Sequence, residues 1–189
     1  KPSLLSLIAA FACVALYAQT PDYRFGKVSA EELHMTSYDK DPDAAAVYLY
    51  EENSLFYQID REIGLTSDYR ARIKILKSDG TDQANVSIPY TDEYSVRESV
   101  FGIDAVAYNL VDGKIVKTPL KKQYIFTEQV GENHKLVKFS IPEVREGTVI
   151  EYKFRKTSKN PTYIPSFRFQ HDIPVARCHM QALIPEFFK

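Results

Sequence analysis

Tryptophan is absent from these 189 residues, and cysteine occurs only twice. Cys13 lies in an apolar run that is expected to be removed, which leaves Cys178 as the lone thiol of the mature chain. A single cysteine cannot form an internal disulfide, so the fold must rest on its apolar core. Gly-rich phosphate loops, Gly-x-Ser-x-Gly elbows and CxxC pairs are also missing, so no motif points to a nucleotide site, a hydrolase elbow or a redox dithiol.

The chain has no excess charge of either sign, since it contains 24 basic and 25 acidic side chains. Loss of Lys1 with the leader would leave 23 basic side chains and a net charge of −2. Nucleic-acid binding depends on Lys and Arg contacts to phosphate, so this balance argues against nucleic acid as a partner. It also offers no polybasic patch to a membrane surface.

The first residues have the parts of a secretory signal peptide: Lys1, an apolar run over 4–16, and small residues before a polar break. We expect cleavage after Ala18, so that the membrane is met only during export to the periplasm or cell surface. A transmembrane anchor is disfavoured, because a span needs about 20 apolar residues. Lipidation at Cys13 ranks lower, because Ala10 stands where a Leu is expected.

Residues 1–18 are therefore predicted as signal peptide and residues 19–189 as one β-sandwich domain, cut short at its C-terminus. About ten short segments have strand character, with turn residues at the spacing typical of sandwiches and barrels. No long helical period separates them, which excludes parallel βαβ units. The segments are residues 44–50, 55–59, 69–75, 86–88, 100–110, 114–117, 123–127, 135–141, 148–155, 167–169 and 178–184. The predicted fold is all-β, a large antiparallel β-sandwich with one short N-terminal helix.

Local signals predict how some of these segments are joined. Ser29 and Glu32 form a capping box that begins the helix, and the residues around Pro42 stop it. Polar residues 51–54 predict a turn that makes the two strands beside them a hairpin. Asp112-Gly113 predicts a second hairpin, because this dipeptide between two apolar runs is a strong turn signal.

Residues 69–75 alternate strictly between apolar and basic side chains. Tyr69, Ala71, Ile73 and Ile75 share one face of the predicted strand, while the other face carries a basic stripe of Arg70, Arg72 and Lys74. No aromatic side chain lies on the basic face, so we expect a solvated sheet face and not a nucleic-acid platform.

Candidate nucleophiles and ligands are few. Cys178 stands beside His179, but neighbours in a strand point to opposite faces, so a buried thiol next to an exposed histidine is expected. His171-Asp172 could begin a dyad, although Ile173-Pro174 after it indicates a surface turn. The remaining histidines, His34 and His134, have no metal-ligand spacing with another His or Cys.

The acidic residues also have simple explanations. Asp39, Asp41 and Asp43 lack the further oxygen ligands and the glycine of a calcium loop, so they are interpreted as the helix stop. Three glutamates are candidates for acid–base partners and are expected to be solvated: Glu143, Glu146 and Glu151. No catalytic, cofactor-binding or metal-binding residue is therefore predicted.

Six short motifs, in the same order, are similar to one family pattern, and the similarity runs from residue 25 to residue 188. They are residues 25–29, 38–47, 72–80, 108–109, 147–153 and 169–175. Together they resemble the N-terminal domain of unknown function that precedes transglutaminase-like domains in exported proteins of Gram-negative bacteria. The resemblance implies a large antiparallel β-sandwich, and it places a papain-like Cys-His-Asp set in a domain beyond residue 189.

The first functional hypothesis is accordingly a non-catalytic domain, accessory to a downstream transglutaminase-like domain of the same protein and requiring no cofactor. The alternative is a free-standing binding module for peptide or carbohydrate. The lack of tryptophan weakens its carbohydrate version, while exposed edge strands could capture a peptide. An enzyme that uses Cys178 ranks third.

Overall fold

The computed structural model describes residues 23–59 and 61–187, so the predicted signal peptide lies outside the described residues. One α-helix and nine strands make up most of this part of the chain. They are α1 (Ala30–His34), β1 (Ala46–Ile59), β2 (Ile63–Ile75), β3 (Asn85–Thr91), β4 (Glu98–Val111), β5 (Lys114–Pro119), β6 (Phe126–Gln129), β7 (His134–Ser140), β8 (Val149–Ser158) and β9 (Cys178–Leu183). Short 3-10 helices occupy Ser78–Ala84 and Lys122–Tyr124.

The strands form two sheets, which confirms the predicted all-β sandwich. The large sheet has six strands in the order β5-β4-β8-β2-β1-β9, and the small sheet has three in the order β3-β7-β6. The main core lies between them, because Ile73 and Ile150 of the large sheet cluster with Ile88, Val137 and Phe139 of the small one. Within the described ranges, none of the helices has the length and apolar character of a membrane span.

The N-terminal segment covers part of the opposite, outer face of the large sheet. A second cluster of buried apolar residues lies there and joins Leu33 of α1 to Val47, Tyr108 and Val149. The predicted capping box is present, since Ser29 Oγ accepts from Glu32 N at 3.2 Å and Glu32 Oε2 accepts from Ser29 N at 2.6 Å. This layer of chain decides the environment of the sheet residues beneath it.

The predicted Asp112-Gly113 hairpin is confirmed. β4 and β5 pair up to Val111 opposite Lys114, and the two turn residues have φ values of 51° and 73°. Positive φ at both central residues is what the two-residue hairpin turn with the correct twist requires.

Two local predictions are wrong, and one strand departs from the antiparallel pairing of the others. The expected turn at 51–54 lies inside one continuous strand, because its polar side chains bond across to β2: Asn53 accepts from Ser67 at 2.6 Å. Residues 167–169 form no strand, and Phe167 packs edge-on against Phe169 in an irregular loop. β9 pairs with β1 in parallel, because that loop returns the chain along β1 before β9 begins.

Candidate functional site

A β-bulge in β1 brings a carboxylate to the inner face of the large sheet. Tyr48 lies opposite Ile73 and Tyr50 opposite Arg72, so Leu49 has no partner in β2. An extra residue shifts the alternation of every side chain that follows it. Glu51 consequently pairs with Ala71 on the core side and is only 1% exposed.

Glu51 connects side chains from three other parts of the fold. Its Oε1 accepts from the Tyr69 hydroxyl of β2 at 2.7 Å. Its Oε2 lies 2.9 Å from His171 Nε2 in the β8–β9 loop and accepts from Cys178 Sγ of β9 at 3.7 Å. The His171 ring also stacks on Tyr48, with 4.7 Å between ring centroids. The Glu51 cluster, which comprises Glu51, Tyr69, His171 and Cys178, therefore fastens the loop and β9 to the sheet.

Burial keeps the protons on the Cys178 thiol and the Tyr69 hydroxyl. Burial and the adjacent charge of Glu51 raise the pKa of the Cys178 thiol to about 11. The pKa of Tyr69 is also raised, first by burial and then by the neighbouring Tyr152. At neutral pH the thiol and the phenol are therefore hydrogen-bond donors to the carboxylate.

This order of groups differs from that of a cysteine nucleophile. Activation of a thiol places an imidazole next to it and a carboxylate behind the imidazole. Here the carboxylate lies in the middle, and among the described contacts no hydrogen bond joins Cys178 to His171. The expected exposed His179 is found, but Cys178 is half-buried and not buried. His171 is also half-buried against Glu51, so the expected surface turn does not describe its side chain.

A second polar cluster, on the outer face, overturns two predictions of solvation. Arg72 and Glu151 are each 2% exposed, and their Nη2 and Oε1 atoms are 2.6 Å apart. Arg72 Nη1 also donates to Glu32 Oε1 at 2.8 Å, and Glu151 Oε2 accepts from Tyr108 OH at 2.7 Å and from Gly26 N at 2.8 Å. The expected basic stripe is buried at Arg72 because the N-terminal segment lies over it.

Lys74, the next member of that stripe, is fully buried. Its Nζ donates to Leu33 O at 2.7 Å and to Gly147 O at 2.6 Å. The Leu33 carbonyl lies in the last turn of α1, where carbonyls lack helical partners and a cation is favourable. Burial lowers the pKa of Lys74 to about 8. Arg70, the third member, is partly exposed and pairs with Glu52.

The outer cluster is where several of the sequence motifs meet. Gly26, Arg72, Tyr108 and Glu151 come from separate motifs and contact one another through the hydrogen bonds described above. A neighbouring bond of 2.6 Å, from the Thr148 hydroxyl to Asn109 Oδ1, joins two of the same motifs. These motifs therefore encode a buried polar joint between the N-terminal segment, β2, β4 and β8.

The positions of the other acidic residues agree with the predictions of a helix stop for the aspartates and of solvation for Glu143 and Glu146. Asp39 and Asp43 are exposed and follow the helix, and Glu143 and Glu146 are exposed in the turn before β8. Within residues 23–59 and 61–187, no group of three or more His, Cys, Asp or Glu side chains is arranged to hold a metal ion.

Several grooves are open on the surface of the described residues, and two of them bear on binding. One, of 410 Å³, lies on the uncovered half of the outer face, where Arg155 donates to both Asp68 oxygens at 2.5 Å. The other runs between the sheets as two adjoining cavities of 190 and 560 Å³. The cavities share the residues Pro89, Glu98, Lys156, Tyr163, Pro165 and Ser166.

Comparison with known proteins places this fold in a family. The family model of DUF3857, a domain of unknown function, matches residues 64–188. The chain belongs to this family. The DUF3857 match contains Arg72, Glu151, His171 and Cys178, whereas Glu51 precedes it. The family was therefore correctly predicted from the short motifs.

A crystal structure of a candidate protease from Parabacteroides distasonis is similar to this DUF3857 chain. The TM-score is 0.58 and the sequence identity 16%, and the similarity covers 77% of this chain and 30% of that one. The likeness therefore shows a shared fold, and the chain spans less than a third of the other protein's length. A comparison with curated proteins finds no match.

The sequence signals for the Glu51 cluster were weak. Glu51 and His171 are 120 residues apart, and Glu51 stood in a predicted turn. The available sign was that Glu51 directly follows the apolar strand run that ends at Tyr50, because a charge at the end of a buried strand needs a partner.

Proposed function

We propose that this DUF3857 domain is a non-catalytic β-sandwich of an exported protein and is accessory to a transglutaminase-like domain of the same protein. The observation that carries the proposal is the order of groups in the Glu51 cluster. Glu51 lies between the thiol and the imidazole, and the thiol pKa of about 11 keeps Cys178 protonated. Such a thiol is a poor nucleophile at neutral pH.

The other buried charges also serve the fold. Arg72 and Glu151 bond to each other and to the N-terminal segment, and Lys74 bonds to two backbone carbonyls. The short sequence motifs support an accessory role, because they resemble those of domains that precede transglutaminase-like domains. The candidate protease supports it too, since the shared fold occupies 30% of a longer chain. Export is proposed from the leader-like residues 1–18.

The test uses the full-length protein that contains this chain. Its sequence should include a transglutaminase-like Cys-His-Asp set, and cell fractionation should find it in the periplasm or at the surface. Protein hydrolysis or amine transfer should be unchanged in the Cys178→Ala variant. The His179→Ala variant is the matched control on the exposed side of β9. Loss of activity in Cys178→Ala, with circular dichroism unchanged, would make Cys178 catalytic and overturn the proposal.

A binding module is the second candidate, and the inter-sheet groove favours its peptide version. Tyr163 is 62% exposed at this groove and stands beside Pro165. Aromatic grooves bind extended proline-rich peptides. Binding of the protein to peptide and glycan arrays, lost in Tyr163→Ala but not in Tyr94→Ala, would support this candidate.

A further inference from the structure

The 410 Å³ groove on the outer face lies over the strands β1, β2, β8 and β4, and the register of these strands sets the charges along it. Arg70 of β2 lies opposite Lys153 of β8, and Asp68 of β2 lies opposite Arg155 of β8. Residues two positions apart in a strand point to the same face, so these four side chains are neighbours on one face. Three of them are basic and one is acidic, so a net charge of +2 is concentrated at adjacent positions.

The counter-charges of the two facing cations lie on the outer sides of the pair. Arg70 bonds to Glu52, its partner in β1, and Lys153 Nζ is 3.2 Å from an oxygen of Asp104, its partner in β4. Each acid is thus on the side turned away from the other cation. Like charges directly opposite each other in a sheet are unfavourable. An anion between Arg70 and Lys153 would remove this repulsion.

Hydrogen-bond donors remain available at these cations. Arg155 donates from Nε and Nη2 to the two oxygens of Asp68, both at 2.5 Å, and its Nη1 makes no hydrogen bond within residues 23–59 and 61–187. The side chains of Lys153 and Arg155 are 42% and 40% exposed, so a ligand in the groove can reach them. Hydrogen bonds from such charged donors to a carboxylate are about twice as strong as neutral ones.

A β-bulge forms the wall of the groove on the β4 side. Phe101 lies opposite Arg155 and Asp104 opposite Lys153, so two residues of β4 face a single residue of β8 between these pairs. One of the two is Gly102, which has a φ of 65°, and a Cβ added to it would meet no atom within 4 Å. Bulges are frequent beside binding sites, and glycine lets a ligand approach the backbone closely. Phe101, which is 49% exposed, adds apolar surface to this wall.

We infer that this groove binds a small monocarboxylate, whose carboxylate group lies between Arg70 and Lys153 and whose apolar part rests on Phe101. Arg155 Nη1 is a further donor to the carboxylate. The inference goes beyond the accessory role and does not depend on it. Three basic and two acidic side chains line the groove, so their net charge of +1 matches a single negative charge, and the two acids repel a dianion. The groove also has the size of small-molecule sites, which is roughly 300–1,000 Å³.

Titration of the full-length protein with phenylacetate, followed by calorimetry, tests the class of ligand. Phenylacetate should bind, and phenylacetamide, which has nearly the same shape without the charge, should bind at least about tenfold more weakly. Phenyl phosphate should also bind more weakly than phenylacetate, because it carries a second negative charge beside the two acids. Absence of phenylacetate binding, equal binding of the amide, or tighter binding of phenyl phosphate would overturn the inference.

Two substitutions with opposite expected effects test the site itself. Lys153→Gln should raise the phenylacetate Kd about tenfold, because it removes one of the two facing cations. The matched control is Lys138→Gln, since Lys138 is also an exposed strand lysine paired with an acid but lies in the small sheet, and its Kd should be unchanged.

Asp68→Asn should lower the Kd roughly threefold, because it releases Arg155 and raises the net charge of the lining side chains to +2. Damage to the fold would weaken binding in both variants, so tighter binding in Asp68→Asn separates the effect of charge from that of structure. A higher Kd in Asp68→Asn, or equal effects of Lys153→Gln and Lys138→Gln, would overturn the inference.

Discussion

Arg72 of β2 and Glu151 of β8 lie opposite each other in the register of the large sheet, with 2.6 Å between Nη2 and Oε1. Both side chains are buried under the N-terminal segment. The pair is bonded further to Glu32, Gly26 and Tyr108, so both charged groups have additional partners within the protein. This joint connects residues that are distant in sequence, so its loss should weaken the contact between the N-terminal segment and the large sheet.

Glu151→Gln should lower the free energy of unfolding by about 3 kcal/mol, because it leaves the Arg72 guanidinium buried without its main counter-charge. Urea denaturation of the purified protein measures this value. The matched control is Glu146→Gln at an exposed carboxylate, which should change stability by less than about 0.5 kcal/mol. Equal effects of the two substitutions would show that the Glu151 charge is unimportant.

The burial of Lys74 should make the free energy of unfolding depend on pH in the alkaline range. Its pKa is about 8 in the folded protein and 10.5 ordinarily, so the unfolded chain binds more protons between these values. Stability therefore rises with pH across this window, and the cost of burying the charge is fully present below pH 8. Between these two pKa values, the free energy of unfolding of the wild-type protein should rise by about 3 kcal/mol relative to that of Lys74→Met.

Urea denaturation at a series of pH values measures this gain. Lys114→Met at an exposed edge position is the control, and its stability should run parallel to that of the wild type. A constant difference between wild type and Lys74→Met from pH 8 to pH 10 would contradict the depressed pKa.

Cys178 should be slow to alkylate. With a thiol pKa of about 11, the rate with iodoacetamide should still be rising at pH 10. At pH 8 it should be roughly 100-fold below that of a free cysteine, whose pKa is about 8.5. Mass spectrometry of the peptide that contains Cys178 follows the alkylation, so that no other thiol contributes to the measured rate.

Glu51→Gln should shift the alkylation profile of Cys178 to lower pH, because it removes the nearby negative charge while burial remains. Glu52→Gln is the matched control, since the next side chain along β1 points to the opposite face and pairs with Arg70. Identical profiles for the two variants would remove Glu51 as a cause of the raised pKa.

Gly80→Ala should destabilise the protein by about 2 kcal/mol, the usual cost of overpacking. A Cβ at this position would lie 2.2 Å from the Ala45 carbonyl oxygen, which accepts from Leu76 N and Lys77 N. Gly131→Ala is the control, because its Cβ would meet His134 only at 3.5 Å. Thermal unfolding distinguishes them, and an unchanged midpoint for Gly80→Ala would contradict the close approach.

Local chemistry was sufficient for two features that depend only on neighbouring residues. Asp112-Gly113 forms its hairpin because the dipeptide tolerates positive φ, and Ser29 with Glu32 caps α1 because the two groups are three residues apart. Long-range contacts were not predictable in this way. The solvation assigned to Lys74 and Glu151 was wrong because α1 and the segment before it cover the second face of the sheet.

The alternation of apolar and polar residues by itself determined that this chain is an all-β sandwich, because a strand with one apolar face must bury that face against another layer. The tertiary structure alone decided which polar residues are buried together with the apolar ones. The extra residue at Leu49 turned Glu51 inward, and the return of the chain along β1 brought His171 and Cys178 to the same carboxylate. Such long-range contacts depend on the path of the chain in space, which the alternation of apolar and polar residues along a strand does not encode.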